Sequence, residues 1–189
     1  MHISGRGKGI VDLNLSVIFA SDEDKRALAV VRSLDISFNS IKELRALLCL
    51  TTLSKLNSSH NRLASIHNLP KTLTHVDVSH NALASLDGLL QLPLLQELDI
   101  SHNKLTSLAG ISRTSPLQVL KVTNNRLISL EGVETAALLK ILLVDYNLIS
   151  TTDSLRCLKP LHRIEALSLR GCPVTQINDY RLFARKVVP

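Results

Sequence analysis

Three histidines occupy one recurring place. His60, His80 and His102 each stand in the tripeptide Ser-His-Asn. Imidazoles at regular intervals could bind a transition metal or sense pH near neutrality. A further copy of the same place reads Thr-Asn-Asn at 123–125, so these histidines are expected to be ordinary repeat residues. The run Gly5-Arg6-Gly7-Lys8-Gly9 joins glycine to positive charge, but lacks the G-x-x-x-x-G-K-[ST] spacing of a phosphate loop. A mobile terminus is expected there. Cys49, Cys157 and Cys172 are too few and too scattered for a disulfide framework. Cys49 and Cys172 are expected to be buried as small apolar side chains. No Ser/His/Asp or Cys/His set can be argued. No catalytic residue, metal or cofactor is therefore assigned, and no enzyme is expected.

Composition narrows the partners. The chain has 189 residues, about one domain. It is 45% hydrophobic and 20% charged, enough to bury a core. Its aromatics are Phe19, Phe38, Phe183, Tyr146 and Tyr180, with no Trp. That is poor material for stacking bases, and argues against nucleic acid. Of the net charge of +6, +5 falls within residues 154–189, so one end is basic rather than the whole domain. The start, MHISGRGKGIVDLNL, has no apolar stretch of leader length, and no run of about 18 apolar residues follows. A soluble, cytoplasmic protein with no membrane span is expected.

The elements that hold these residues repeat. SLDISFNSI (33–41), HVDVSHNAL (75–83), ELDISHNKL (97–105) and VLKVTNNRL (119–127) are copies of one unit, and KLNSSHNRL (55–63) and LLVDYNLIS (142–150) are weaker ones. Asn39, Asn61, Asn81, Asn103, Asn125 and Asn147 mark the period, spaced by 22, 20, 22, 22 and 22 residues. This is the leucine-rich repeat pattern, L-x-x-L-x-L-x-x-N-x-L. The residues of each L-x-L point inward from a short strand while their neighbours point out. The six asparagines are expected to be buried as a structural ladder that satisfies turn backbone. Gly88, Gly110, Gly132 and Asn68 share a convex place that implies left-handed backbone. Ala46 holds that place in LRAL, so its rung is expected to be more helical. Ser58 stands where most rungs carry Ile, Val or Leu, and implies a local hydrogen bond or a packing defect.

The expected fold is an α/β solenoid with eight short parallel strands on its concave face. Seven are centred near Leu34, Leu56, Val76, Leu98, Leu120, Leu142 and Leu167, and the first, in VDLNLSV, near Leu13. The convex face carries 3₁₀ or irregular turns, with a helical turn over Asp153–Arg163. Helical caps are expected at about 21–31 and 178–187. One domain results: a cap over 1–31, repeats over 32–174 and a second cap over 175–189.

Strand parity also assigns the concave face. It is polar to acidic through Asp77 and Asp99, then apolar through Val119, Ile141, Leu143 and Ala166, with Lys121 at the junction and Tyr146 further along its rung. These eight residues are the expected partner site, because contiguous apolar residues at outward places mark an interface. The occupant is expected to be another protein, a second copy of the chain, or a C-terminal continuation folding back.

The phrase LASLDGLLQLPLLQELDISHNKLTSLAGI (83–111) resembles the leucine-rich repeat subfamily typified by the regulatory subunit of protein phosphatase 1. The tail GCPVTQINDYRLFARKVVP is similar to that family's C-terminal cap, with Gly171, Pro173, Val174, Tyr180 and Arg181 as matching residues. The family continues as P-x-L-x-x-L-D where this chain ends at Pro189, so a longer protein is expected. The resemblance implies a non-catalytic interaction module in a cytoskeletal scaffold of centrosomal, basal-body or flagellar kind. Its alternatives are a phosphatase 1 regulatory subunit and a spliceosomal ribonucleoprotein subunit, the latter placing the protein in the nucleus.

Overall fold

The computed structural model describes residues 1–13, 29–88, 92–111, 116–178 and 180–187. Eight strands of three residues form one parallel sheet in chain order. They are β1 (His2–Ser4), β2 (Ser33–Asp35), β3 (Lys55–Asn57), β4 (His75–Asp77), β5 (Glu97–Asp99), β6 (Val119–Lys121), β7 (Ile141–Leu143) and β8 (Ala166–Ser168). At about 4.8 Å per strand the array is roughly 35–40 Å long. From β2 to β8 the central residue of each strand is the leucine or valine that the pattern points inward, and the pairing aligns these residues in one row.

The strands are short because the chain turns at once towards the convex side. The N–H of the residue after each strand still reaches the neighbouring rung, as in Ile36 to Asn57 O and Ile100 to Lys121 O. A 3₁₀ helix crosses the convex side at Arg45–Cys49, Val133–Thr135 and Asp153–Leu158. Leu47, Val133, Leu155 and Leu158 point from these turns into the core, facing the inward strand residues. Truncating one such leucine to Ala would cost about 2–5 kcal/mol.

The asparagine ladder fastens each turn to its neighbour. Asn103 Nδ2 donates to the carbonyls of Ile100 (2.9 Å) and Ser101 (3.2 Å) in its own rung, and of Val78 (3.0 Å) in the rung before. Its Oδ1 accepts from Leu83 N–H at 2.9 Å. Asn39, Asn61, Asn81, Asn125 and Asn147 repeat this arrangement. Asn103, Asn125 and Asn147 are buried, and Asn39, Asn61 and Asn81 half-buried. Cys172 ends the column, its Sγ 3.3 Å from Val144 O.

The structure corrects several expectations. Leu13 lies in no strand, and the first strand is His2–Ser4 instead. It pairs with β2, and Met1 O accepts from Arg32 and Ser33 N–H. The glycine run beyond it is not a loose end. Gly5 and Gly7 N–H donate to Asp35 O and Ser37 O, and Gly5 O accepts from Asn39 Nδ2. Most of VDLNLSV and of the helix expected at 21–31 lies outside the described residues. The left-handed convex place is found at Asn68, Gly110 and Gly132, but Gly88 does not share it. Gly88 is needed for space, since a Cβ there would lie 2.4 Å from Ile66 O. Cys49 is exposed, its Sγ turned to Ala46 O. At the C-terminal end helix α1 (Tyr180–Val187) packs against Asp153–Leu158 and the 3₁₀ turn Pro173–Gln176, as the second cap requires.

Two substitutions test this packing. Asn103→Ala is expected to lower unfolding free energy by about 2–3 kcal/mol in denaturant melts, since the turn backbone loses its partners. Asn103→Cys, which copies the Cys172 solution, should lose less. Ser58 is fully buried and its Oγ has no hydrogen-bond partner among the described residues. Ser58→Ala is therefore expected to raise stability by about 1 kcal/mol. A loss there would mean that the hydroxyl is bonded.

Candidate functional site

Val119, Ile141 and Ala166 form one row across β6, β7 and β8, and Leu143 lies in the next row between Lys121 and Ser168. Val119, Ile141 and Leu143 are half-buried and Ala166 is exposed, while Leu120 and Leu142 beneath them are fully buried. The register therefore places all four at outward positions of adjoining strands. Lys121 closes this patch towards the acidic half. Its Nζ lies 2.9 Å from Glu97 Oε1 and 3.9 Å from Asp99 Oδ2. The hydrogen bond to Glu97 holds the ammonium above the usual lysine range, although partial burial opposes it.

Asp77 and Asp99 stand on the same face, but one oxygen of each is already engaged. Their Oδ1 atoms accept from the N–H groups of Ser79 (2.9 Å) and Ser101 (3.0 Å). Asp35 and Asn57 do the same for Ser37 and Ser59. The outward column from Asp35 to Asp99 therefore also closes the turn after each of β2 to β5. Around it, His2, Ser33, Lys55, His75 and Glu97 complete a shallow polar hollow that reaches Lys121.

Tyr146 is not part of the apolar patch. It belongs to a column at the strand ends, the residue before each ladder position, where the backbone is left-handed on every rung. Phe38 (φ 57°), His60 (53°), His80 (53°), His102 (55°), Asn124 (53°) and Tyr146 (53°) run between Gly7 (61°) and Gly171 (73°). The Tyr146 ring covers Gly171, where a Cβ would come within 2.5 Å of it. The rings of Phe38, His60, His80 and His102 stack face to face at 4.1, 4.0 and 3.9 Å between centroids. The Arg6 guanidinium covers the outer face of Phe38 at 4.6 Å, and Asn124 Nδ2 approaches His102 Nε2 at 3.4 Å. The histidines are thus more than filler, because each ring shields the next. The sequence signal was a Phe or Tyr sharing the place of the histidines, with glycine at both ends.

Among the described residues no group of three or more His, Cys, Asp or Glu is arranged to hold a metal ion. Burial pushes the Cys157 thiol up to about 11, with Glu134 and Glu131 adding to the shift, and burial raises Cys172 as well. Neither supplies a thiolate at neutral pH. Among the described residues, no helix is long and apolar enough to cross a membrane.

Residues 71–113 match a family model described as Leucine Rich repeats (2 copies). A comparison with curated proteins found no match. Among solved structures, internalin C2 of Listeria monocytogenes str. 4b F2365 is similar at 21% identity and a TM-score of 0.77, over 94% of this chain and 77% of that one. Internalin InlF of the same strain is similar at 20% identity and a TM-score of 0.71, over 80% of this chain and 45% of that one. At these identities the likeness is one of fold: a leucine-rich repeat solenoid with an open parallel sheet.

Stacking takes water from the imidazole faces and sets potential cations side by side. His80 is consequently lowered from the ordinary 6.5, by desolvation first, then by His102 and His60, while Asp77 and Asp99 oppose the shift. With the folded value below the unfolded one, the native state binds fewer protons. Its stability is complete above about pH 6.5 and falls as pH drops below it. Thermal melts between pH 7.5 and 5 should show that loss. His80→Asn, the residue already tolerated as Asn124, should reduce it. An unchanged profile would remove the ring column as its cause.

Proposed function

We propose that this leucine-rich repeat solenoid is a non-catalytic protein-binding module of a cytoskeletal scaffold, centrosomal, basal-body or flagellar in setting, and that it holds its partner on the concave face. The observation that carries the reading is the row Val119, Ile141, Ala166 with Leu143 beside it. These are apolar side chains at outward strand places, next to an acidic face, with Val119, Ile141 and Leu143 half-buried and Ala166 exposed. Water-facing apolar side chains gathered on one concave wall gain free energy when a partner covers them, at about 25 cal/mol per Å². The 22-residue repeats and the Gly171–Arg181 cap support the cytoskeletal setting, through the resemblance they carry. The phosphatase-regulator alternative loses its aromatic contacts, because Phe38 and Tyr146 stand in the ring column rather than over the concave wall.

Replacing Ile141 and Leu143 together with Asp tests the reading. Both sit above the fully buried Leu142, so the fold should survive, with a far-ultraviolet spectrum like that of the parent. Proximity labelling of the full-length protein should then lose its partners, and imaging should show release from the cytoskeleton. Unchanged partners on a folded variant would discard the patch as the interface. Retention of protein phosphatase 1 by the parent, lost in the variant, would favour the regulator instead.

A further inference from the structure

The ring column borders a second exposed strip. Two residues beyond it on each rung, just after the ladder asparagine, stand Arg62, Ala82, Lys104 and Arg126. Two residues of chain span at most about 7 Å, and backbone bonds from Arg62, Ala82, Lys104 and Arg126 N–H to the rung before align these residues in a row beside the column. Arg62, Lys104 and Arg126 are exposed and have no ion-pair partner among the described residues. Glu43 pairs with Arg45, and Asp145 Oδ1 accepts from Arg170 N–H and Ser168 Oγ. The rings add donors. Their faces are closed by stacking, so water meets only their edges, and every imidazole carries at least one N–H there. The left-handed backbone is costly for such side chains, and glycine would serve at no cost, as it does at Gly7 and Gly171. Mutual stacking offsets part of that cost, and fixes three imidazole edges in line beside three cations that have no ion-pair partner among the described residues.

We propose that this edge is a second docking surface, distinct from the concave patch, and that it takes an acidic segment of a protein partner lying across the rungs. From the rung of β3 to that of β6 it spans about 14 Å. An acidic helix of about ten residues covers that length. A protein segment fits better than nucleic acid for two reasons. The faces between Phe38, His60, His80 and His102 are closed to a base by stacking, and Arg6 covers the outer face of Phe38. The strip is also bounded on its concave side by Asp35, Asp77 and Asp99, which repel a chain charged all round but not a segment with carboxylates on one face.

The test uses a labelled Glu-Glu-Ala repeat peptide, read by fluorescence anisotropy at low salt. The intact chain should bind it. Arg62→Glu with Lys104→Glu and Arg126→Glu should weaken binding at least about ten-fold. Lys159→Glu with Arg163→Glu and Arg170→Glu makes the same charge change at the basic end, and should weaken it far less. His80→Asn with His102→Asn should also weaken it, and the concave variant Ile141→Asp with Leu143→Asp should bind as the parent does. No binding by the parent overturns the proposal. So do equal losses in the two charge-reversed variants, full binding by the histidine variant, or tighter binding of an oligouridylate of equal charge through the same edge. Loss in the concave variant alone would mean that the peptide had found the concave face, not the edge.

Discussion

One side chain in each repeat decides whether the chain can turn. After a strand of three residues the backbone leaves the sheet, and several of its carbonyl and amide groups have no strand to pair with. The ladder asparagine supplies both kinds of partner at once. It donates to its own turn and to the rung before, and accepts from the rung before as well. Buried backbone groups left unpaired would cost about 1–3 kcal/mol each, which sums past the stability of a domain this size over six rungs. Rung spacing, parallel register and curvature follow from this repeated contact, and the leucine core fills the space it encloses.

Because that contact fixes the parity of every strand, it also fixes what faces out. The residues on either side of each buried Leu or Val have no role in the core and are free to vary. In this chain they change from acidic to apolar along the sheet, with Lys121 bound to Glu97 at the change. Asp77 and Asp99 serve two ends, since one oxygen closes a turn and the other faces the hollow. The outward places of such a wall are set by the same bonds on every rung, so under the proposed function a partner would meet a preformed surface, with little ordering entropy opposing it.

The strand-end column shows the same stiffness at a cost. Left-handed backbone recurs on every rung because the turn needs it, whatever residue stands there. A regular solenoid then stacks those side chains at rung spacing, so a ring in one copy meets a ring in the next. Their line-up is thus a product of the repeat geometry, and its chemistry depends on which residues fill it: three imidazoles between Phe38, which Arg6 covers, and Asn124.

The sequence by itself determined the period, the inward and outward parity of seven strands, the six ladder asparagines and the two halves of the concave face. Each of these is written several times over, since every copy of the repeat votes on the same register and a slip of one residue would expose the core leucines. What is written once was left to the tertiary structure. Two short stretches could have closed the open edge of β2. His2–Ser4 pairs with it, although only Ile3 marks it as a strand, and its flanks fasten it: Met1 O accepts from Arg32 N–H, Gly5 N–H donates to Asp35 O, and Gly5 O accepts from Asn39 Nδ2. The tight fit of Gly88 against Ile66, and the Ser58 hydroxyl left without a partner among the described residues, likewise depend on neighbouring rungs about 20 residues away along the chain. The stacking of Phe38, His60, His80 and His102 is of the same kind. Spacing placed them in one column, but the face-to-face contact arises only when the rungs close to van der Waals distance.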